Sequence, residues 1–336
     1  MSPGGGWRHA RLRAEAEAIR HVARLGVGPD EPVDVFRLIE DARVWLLFQP
    51  LDRLYGFFDR TEDAAGIVLH SGHPLSLQRF TAAHELGHYV LGHERTADAH
   101  DDIVGVATSR EEIEAQAFAA EFLMPVPLVN RALQRLGIDP LRSLHASGAY
   151  QLSLEMGSSY RATISRLEQL NMLSHLKAAE LRKMRPLDSK IEVVGKDTSG
   201  LQRHDTWTLD ERNRHRRPEP RVGDEVHVRL GELPSNGYRW IAGGDAFRDC
   251  LEQVTDELEP IAPGTPKFGA QRVRHLGWRC AAPAVGTLTL ALRRPWDEQA
   301  MIEQINFFLR VCGSRTGDAP AGTSLRQRGP MIRAVA

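Results

Sequence analysis

The sequence predicts an α+β protein of two domains. The first combines helices with a small β-sheet and ends in a helical extension; the second is a small β-sandwich. Three observations carry this reading. The chain has 336 residues, and at about 150 residues per domain that length suggests two. Apolar residues make 42% and charged residues 26%, ordinary globular usage that rules out wholesale disorder. Near residue 186 the pattern changes, from helical periodicity before it to short alternating runs separated by Gly and Pro after it.

Taken in order, Leu12, Ala16, Ile19, Val22 and Ala23 recur at helical spacing between Trp7 and about Leu25. Three strand-like runs follow, Val44–Phe48, Leu54–Phe58 and Ala65–Leu69, separated by polar residues as hairpins require. Helices are expected from about Ser76 to Gly92 and from Glu111 to Leu123, the latter closed by Met124-Pro125, with more over 126–136 and 149–184. Residues 1–185 therefore form the first domain and 186–205 a polar linker. The charged run Asp210–Pro218 reads as a solvated loop rather than a nucleic-acid patch. Over 206–314, runs such as Glu225–Leu230, Thr287–Leu292 and Ile305–Val311 make the sandwich, and the Gly/Ser/Arg/Pro-rich tail 315–336 is expected to be disordered.

Charge and cysteine usage narrow the function. Lys and Arg number 43, Asp and Glu 44, so the global basic excess of a non-specific nucleic-acid binder is missing. No apolar stretch approaches the roughly 18 residues of a membrane span, and Met1–Arg13 has no apolar region of a secretory signal behind it. A cytoplasmic location is the expectation, with Cys250, Cys280 and Cys312 as reduced thiols.

The sharpest motif is His84-Glu85-Leu86-Gly87-His88. On a helix, residues four apart stand one above the other, so both imidazoles can reach one metal ion. Glu85 lies about 100° round from His84, placed to take a proton from a water without ligating the metal. This is the donor set of a hydrolytic zinc site, in which zinc brings the pKa of its water to about 7. Gly87 costs roughly 1 kcal/mol relative to Ala in a helix, so a close approach of another element is expected there.

Such a site needs a third protein ligand and one open position. His93 comes five residues after His88, whereas the metzincin spacing is six. Glu114, 26 residues after His88, is the stronger candidate. It borders the stripe of Ala115, Phe118, Ala119 and Phe122, and an unpaired carboxylate beside buried apolar groups is costly. Glu111 and Glu121 read as surface or supporting groups.

The order Arg79-Phe-Thr-Ala-Ala-His-Glu-Leu-Gly-His88, followed by Glu114-Ala-Gln-Ala-Phe-Ala-Ala-Glu-Phe-Leu-Met-Pro125, resembles the ImmA/IrrE family of zinc metallopeptidases. The likeness covers roughly residues 10–180. It implies a zincin-like fold, one Zn²⁺ held by His84, His88 and Glu114, and Glu85 as general base. It also implies a protein substrate, a helix-turn-helix transcriptional repressor, and hence a part in transcription regulation and stress response. The residue that would stabilise the oxyanion is unmarked; His93, His100 and Tyr160 are the candidates.

Leu152–Leu170 reads as two short helices around Gly157, with Arg166 on the second. This shadow of a helix-turn-helix supports, as one alternative, a DNA-binding regulator acting through residues 150–170.

In the second domain, Leu233-Pro-Ser-Asn-Gly-Tyr-Arg-Trp240, Lys267-Phe-Gly-Ala-Gln-Arg272 and Arg294-Pro-Trp296 are turn-rich stretches, each with an aromatic attached. With Val222–Leu230 they resemble the chagasin family of Ig-like β-sandwich inhibitors of papain-like cysteine proteases, over about residues 206–312. The resemblance implies partner binding through Asn236, Gly237, Tyr238 and Trp296. Two departures stand out: Asn236 replaces the family's Thr at the first tip, and Gly269-Ala-Gln-Arg replaces its Gly-x-Gly-Gly run. A second alternative follows, a protease-inhibiting or binding protein whose metal domain is accessory. Residues 200–314 are expected to fold alone.

Overall fold

The computed structural model describes residues 3–52, 54–61, 64–93, 96–99, 109–195, 204–214, 216–243, 246–260 and 269–313. The expected disordered tail and residues 267 and 268 of the second tip lie outside them. The chain divides into two compact units, one built on residues 1–14 and 35–119, the other on 15–34 and 120–314.

The first unit has α1 (Pro3–Arg24, shared with the second), α2 (Val35–Asp41), β1 (Trp45–Gln49), β2 (Leu54–Arg60), β3 (Ala65–His70), α3 (Leu75–Leu91), β4 (Thr96–Ala99) and the first part of α4 (Arg110–Leu123). The strand order is β1-β3-β2-β4. β2 pairs antiparallel with β3, but β1 lies parallel to β3, so the expected first hairpin is replaced by a crossover. β4 gives little strand signal in the sequence because it is four residues long and Ala is its only apolar residue type.

Gly56 on β2 lets α3 lie against the sheet. A Cβ there would stand 2.7 Å from Thr81 Cγ2 and 2.8 Å from Val68 O. Ala82, Ala83 and Leu86 are fully buried on α3, and Gly92 ends the helix in the left-handed region at φ 74°, where a side chain would be strained.

The second unit holds the rest of α4, then α5 (Val126–Leu136), α6 (Ala146–Met156), α7 (Tyr160–Gln169), α8 (His175–Lys183) and α9 (Pro186–Val194). The expected linker thus begins as a helix, set by Pro at its first position and closed by Gly195 at φ 75°. Beyond it come β5 (Thr206–Leu209), β6 (Glu225–Glu232), β7 (Arg239–Ala242), β8 (Leu251–Leu258), β9 (Arg272–Cys280), β10 (Ala284–Arg294) and β11 (Asp297–Val311). They form sheets of order β11-β10-β7 and β5-β6-β9-β8. Between them, Val226, Val228, Leu230, Leu276 and Trp278 of one sheet share a core with Trp240, Leu288, Leu290, Ile305 and Phe307 of the other. This is the expected sandwich.

The helical extension docks on the sandwich through polar groups. The Gln151 amide donates to Thr206 O at 2.7 Å and accepts from Thr208 N at 3.0 Å. Tyr150 Oη accepts from Thr206 N at 3.1 Å and donates to Asp205 at 2.8 Å. Arg216 is buried, donates to Glu155 Oε1 at 2.6 Å and to Thr208 O at 2.8 Å, and lies over the Trp207 ring. The charged run Asp210–Pro218 is therefore not wholly solvated.

Arg166 is 2% exposed, donates to Met124 O at 2.9 Å and pairs with Glu121. The residue expected on a recognition face is spent inside the fold, which removes the reading of DNA contact through it. All three cysteines are free thiols. Burial, with Asp224 and Glu225 nearby, pushes the Cys280 thiol up to about 12, so it is inert toward oxidation chemistry that needs a thiolate. Among the described residues, no helix is long and apolar enough to cross a membrane.

Candidate metal centre

The centre is built on α3 and α4. His84 and His88 are one turn apart on α3 and fully buried, as is Glu85 between them. Their Nε2 atoms lie 3.1 Å apart. α4 brings Glu112 to the pair: Oε2 is 3.2 Å from His84 Nε2 and Oε1 is 3.4 Å from His88 Nε2. Ligand atoms of these three residues all lie within 4.8 Å of one another.

That spacing is itself a fit test. Zinc–ligand bonds of about 2.0–2.2 Å in a tetrahedron put neighbouring ligand atoms about 3.3–3.6 Å apart. The imidazole nitrogens are near that edge length, each has one of the two Glu112 oxygens at a similar distance, and two imidazoles and a carboxylate are the donors of a hydrolytic site. Burial works to raise the Glu112 pKa, but hydrogen bonds with His84 and His88 and their charge outweigh it and hold the carboxyl far below its usual range.

The close approach expected at Gly87 is present. A Cβ there would meet Phe118 Cδ1 at 3.1 Å, Phe118 Cβ at 3.2 Å and Ala115 Cα at 3.3 Å. The absent side chain lets α4 come near enough for Glu112 to reach the histidines.

Glu114 is not in this cluster. It is buried elsewhere on α4, accepting from His93 Nε2 at 3.0 Å, Arg110 Nε at 3.1 Å and Arg13 Nη2 at 2.5 Å. The physical reason is helical geometry. Two residues subtend about 200°, so Glu112 and Glu114 leave α4 on nearly opposite sides. Both border the apolar stripe, Glu112 three and seven residues before Ala115 and Ala119, Glu114 four before Phe118. Bordering the stripe was thus a necessary condition but not a sufficient one, and Glu112 could have been found by the same test.

His93 also has a place. Its Nδ1 is 2.9 Å from His88 Nδ1, opposite the nitrogen that faces the cluster. Burial depresses the His93 pKa, against the pull of Glu114. For Glu114, hydrogen bonds from His93, Arg110 and Arg13 overcome the raising effect of burial and lower its pKa. Of the oxyanion candidates, Tyr160 donates to Leu181 O at 3.0 Å within the helical extension, and His100 lies outside the described residues. Glu111 is exposed and Glu121 pairs with Arg166.

In the sandwich the two expected partner loops come together. Asn236 Oδ1 accepts from Tyr238 N at 2.9 Å, and Gly237 takes the left-handed conformation at φ 77°. A Cβ on Gly237 would stand 2.9 Å from Trp296 Cη2, and the Arg294 guanidinium lies 4.8 Å over the Tyr238 ring. Trp296 is 73% exposed, Trp240 only 1%. Beneath the first loop, Arg274 makes a buried two-pronged bond to Glu232, which also accepts from Trp240 N.

Comparison with known proteins matches both regions. Residues 39–167 match the IrrE N-terminal-like domain of the M78 peptidases, and residues 219–311 match the chagasin family of peptidase inhibitors, I42. Over 118 residues the chain is 23% identical to metallopeptidase ImmA of Bacillus subtilis, covering 35% of this chain and 70% of that protein. Over 95 residues it is 35% identical to the radiation response metalloprotease IrrE of Deinococcus radiodurans, covering 27% of this chain and 28% of that one; the likeness spans under a third of that relative. Solved structures similar to the C-terminal part include the cysteine protease inhibitor EhICP2 from Entamoeba histolytica, at 17% identity, TM-score 0.29, 32% of this chain and 96% of that one. Amebosin is another, at 23% identity, TM-score 0.27, 32% and 97%. The two family matches give an IrrE-like domain followed by a chagasin-like domain, the order that the sequence motifs led us to expect.

Proposed function

We propose that this protein is a zinc endopeptidase in which His84, His88 and Glu112 hold one Zn²⁺ and Glu85 is the general base. The observation that carries this reading is the convergence of two buried imidazoles and a buried carboxylate, with ligand atoms within 4.8 Å of one another, beside a second buried carboxylate that follows the first histidine. Zinc, when bound, supplies a Lewis acid and a water acidic enough to ionise near neutral pH. Glu85 takes the proton of the attacking water and delivers it to the leaving amine. The substrate in this proposal is a regulatory protein in the cytoplasm, such as the helix-turn-helix repressors that the ImmA/IrrE resemblance implies.

The test is metal content. The purified chain is expected to hold about one zinc, and His84→Ala or Glu112→Gln to lower occupancy, since each removes one of three protein ligands. Full zinc and activity in Glu112→Gln would refute the ligand assignment. Comparing proteins cut in cells by wild type and by Glu85→Gln, using mass spectrometry, then identifies the substrate.

For the sandwich we propose partner recognition through Asn236–Tyr238 and Trp296, with weak inhibition at most of papain-like proteases. Trp296 is exposed and rests over Gly237 as a binding aromatic would, but Gln271 and Arg272 add bulk where glycines would let a partner come close. One overpacked or unpaired contact costs about 1–3 kcal/mol, roughly ten- to hundred-fold in affinity. The full chain carrying Glu85→Gln, titrated against a papain-like protease, should inhibit no better than micromolar. A nanomolar constant weakened by Trp296→Ala would make the second domain a working inhibitor.

A further inference from the structure

We infer that His93 and Glu114 form a positioning relay that orients His88 toward the metal, an inference that rests on the ligand set proposed above. If His88 offers Nε2 to the ion, its Nδ1 carries the proton and is a donor. The group 2.9 Å from that nitrogen is His93 Nδ1, which must then accept. That choice leaves the His93 proton on Nε2, where Glu114 Oε2 lies 3.0 Å away and accepts it. One ligand contact therefore determines both tautomers, and every contact in the chain has one donor and one acceptor.

The anchor of the chain is ionic. Glu114 has a nearly buried side chain and receives two guanidinium groups, Arg13 from α1 and Arg110 from one turn earlier on α4. They hold its carboxylate in place and keep it ionised. His93 lies just past the left-handed Gly92 cap, with its own backbone N–H donating to His88 O at 3.0 Å. The helix terminus thus turns the His93 ring back under the second ligand. The arrangement accounts for a buried carboxylate that the metal cluster does not use.

Groups that orient a ligating histidine through its second nitrogen typically contribute ten- to hundred-fold to metal affinity. The test is the zinc dissociation constant of the full chain by chelator competition, paired with the visible spectrum of the cobalt-substituted protein. His93→Ala and the near-isosteric Glu114→Gln are each expected to weaken zinc roughly ten- to hundred-fold while keeping the cobalt spectrum of the wild-type ligand set. Glu112→Gln is expected to weaken zinc more and to change that spectrum. Unchanged affinity in His93→Ala and Glu114→Gln, with Glu112→Gln impaired, would overturn the relay alone. A changed cobalt spectrum in Glu114→Gln would make it a ligand and overturn the relay. An unimpaired Glu112→Gln would overturn the ligand set instead.

Discussion

Glu85→Gln should leave the zinc content and the fold of the chain unchanged and lower peptide hydrolysis by roughly a hundred- to ten-thousand-fold. The amide has the shape of the carboxylate it replaces, and Glu85 is not in the His84–His88–Glu112 cluster, so no ligand is lost. What disappears is the acceptor for the proton of the attacking water. A positioned general base contributes about 10²–10⁴ to rate. Its burial between two histidines on α3 removes solvent as a substitute acceptor. Turnover by single-point assay on a cleavable protein, beside zinc analysis of the same sample, checks both halves. Hydrolysis near the wild-type rate would assign the metal a structural part and strengthen the reading of this chain as a binding protein.

Arg216→Ala should destabilise the second unit by about 3 kcal/mol or more, because removing one partner of a buried ion pair leaves the other charge uncompensated. Arg216 has a fully buried side chain and Glu155 a nearly buried one. After truncation Glu155 would keep, among the described residues, Arg135 at 3.8 Å, and Thr208 O would lose a donor. Thermal melting followed by tryptophan fluorescence, with Trp207, Trp240 and Trp278 in the core, reports the transition. A loss below about 1 kcal/mol would mean that the pair behaves as an exposed one. The same contacts change the expectation that residues 200–314 fold alone. The sandwich lacks Gln151, Tyr150 and Glu155 when cut there, and a fragment beginning near residue 120 is expected to be the more stable of the two.

Much of this was legible in the residues. The two histidines and Glu85 could be placed because a helix repeats every 3.6 residues and their spacing allows one common face. The sandwich was legible in its alternation and turns, and Gly87 in its cost inside a helix. The expected third ligand lay on α4, but the carboxylate that meets the histidines is Glu112, two residues before Glu114, since apolar neighbours line more than half of that helix and do not specify which carboxylate faces α3. Arg216 and Arg166 were legible only as charges. Whether an arginine is solvated or paired inside depends on Glu155 and Glu121, which lie 61 and 45 positions away in sequence, and no local pattern encodes such a meeting. The pairing of β1 with β3 rather than β2 is likewise a property of the whole sheet.

The docking of α6 on β5 has a consequence for how the molecules behave toward one another. β5 is the outermost strand of its sheet, and outermost strands offer vacant N–H and C=O groups that template the addition of a strand from another chain. Here Thr206 N, Thr206 O and Thr208 N are all taken up by the side chains of Tyr150 and Gln151. Two side chains of a helix stand in for the missing neighbour strand, rung by rung. The helical extension thus closes a seam along which copies of the protein could otherwise join strand to strand.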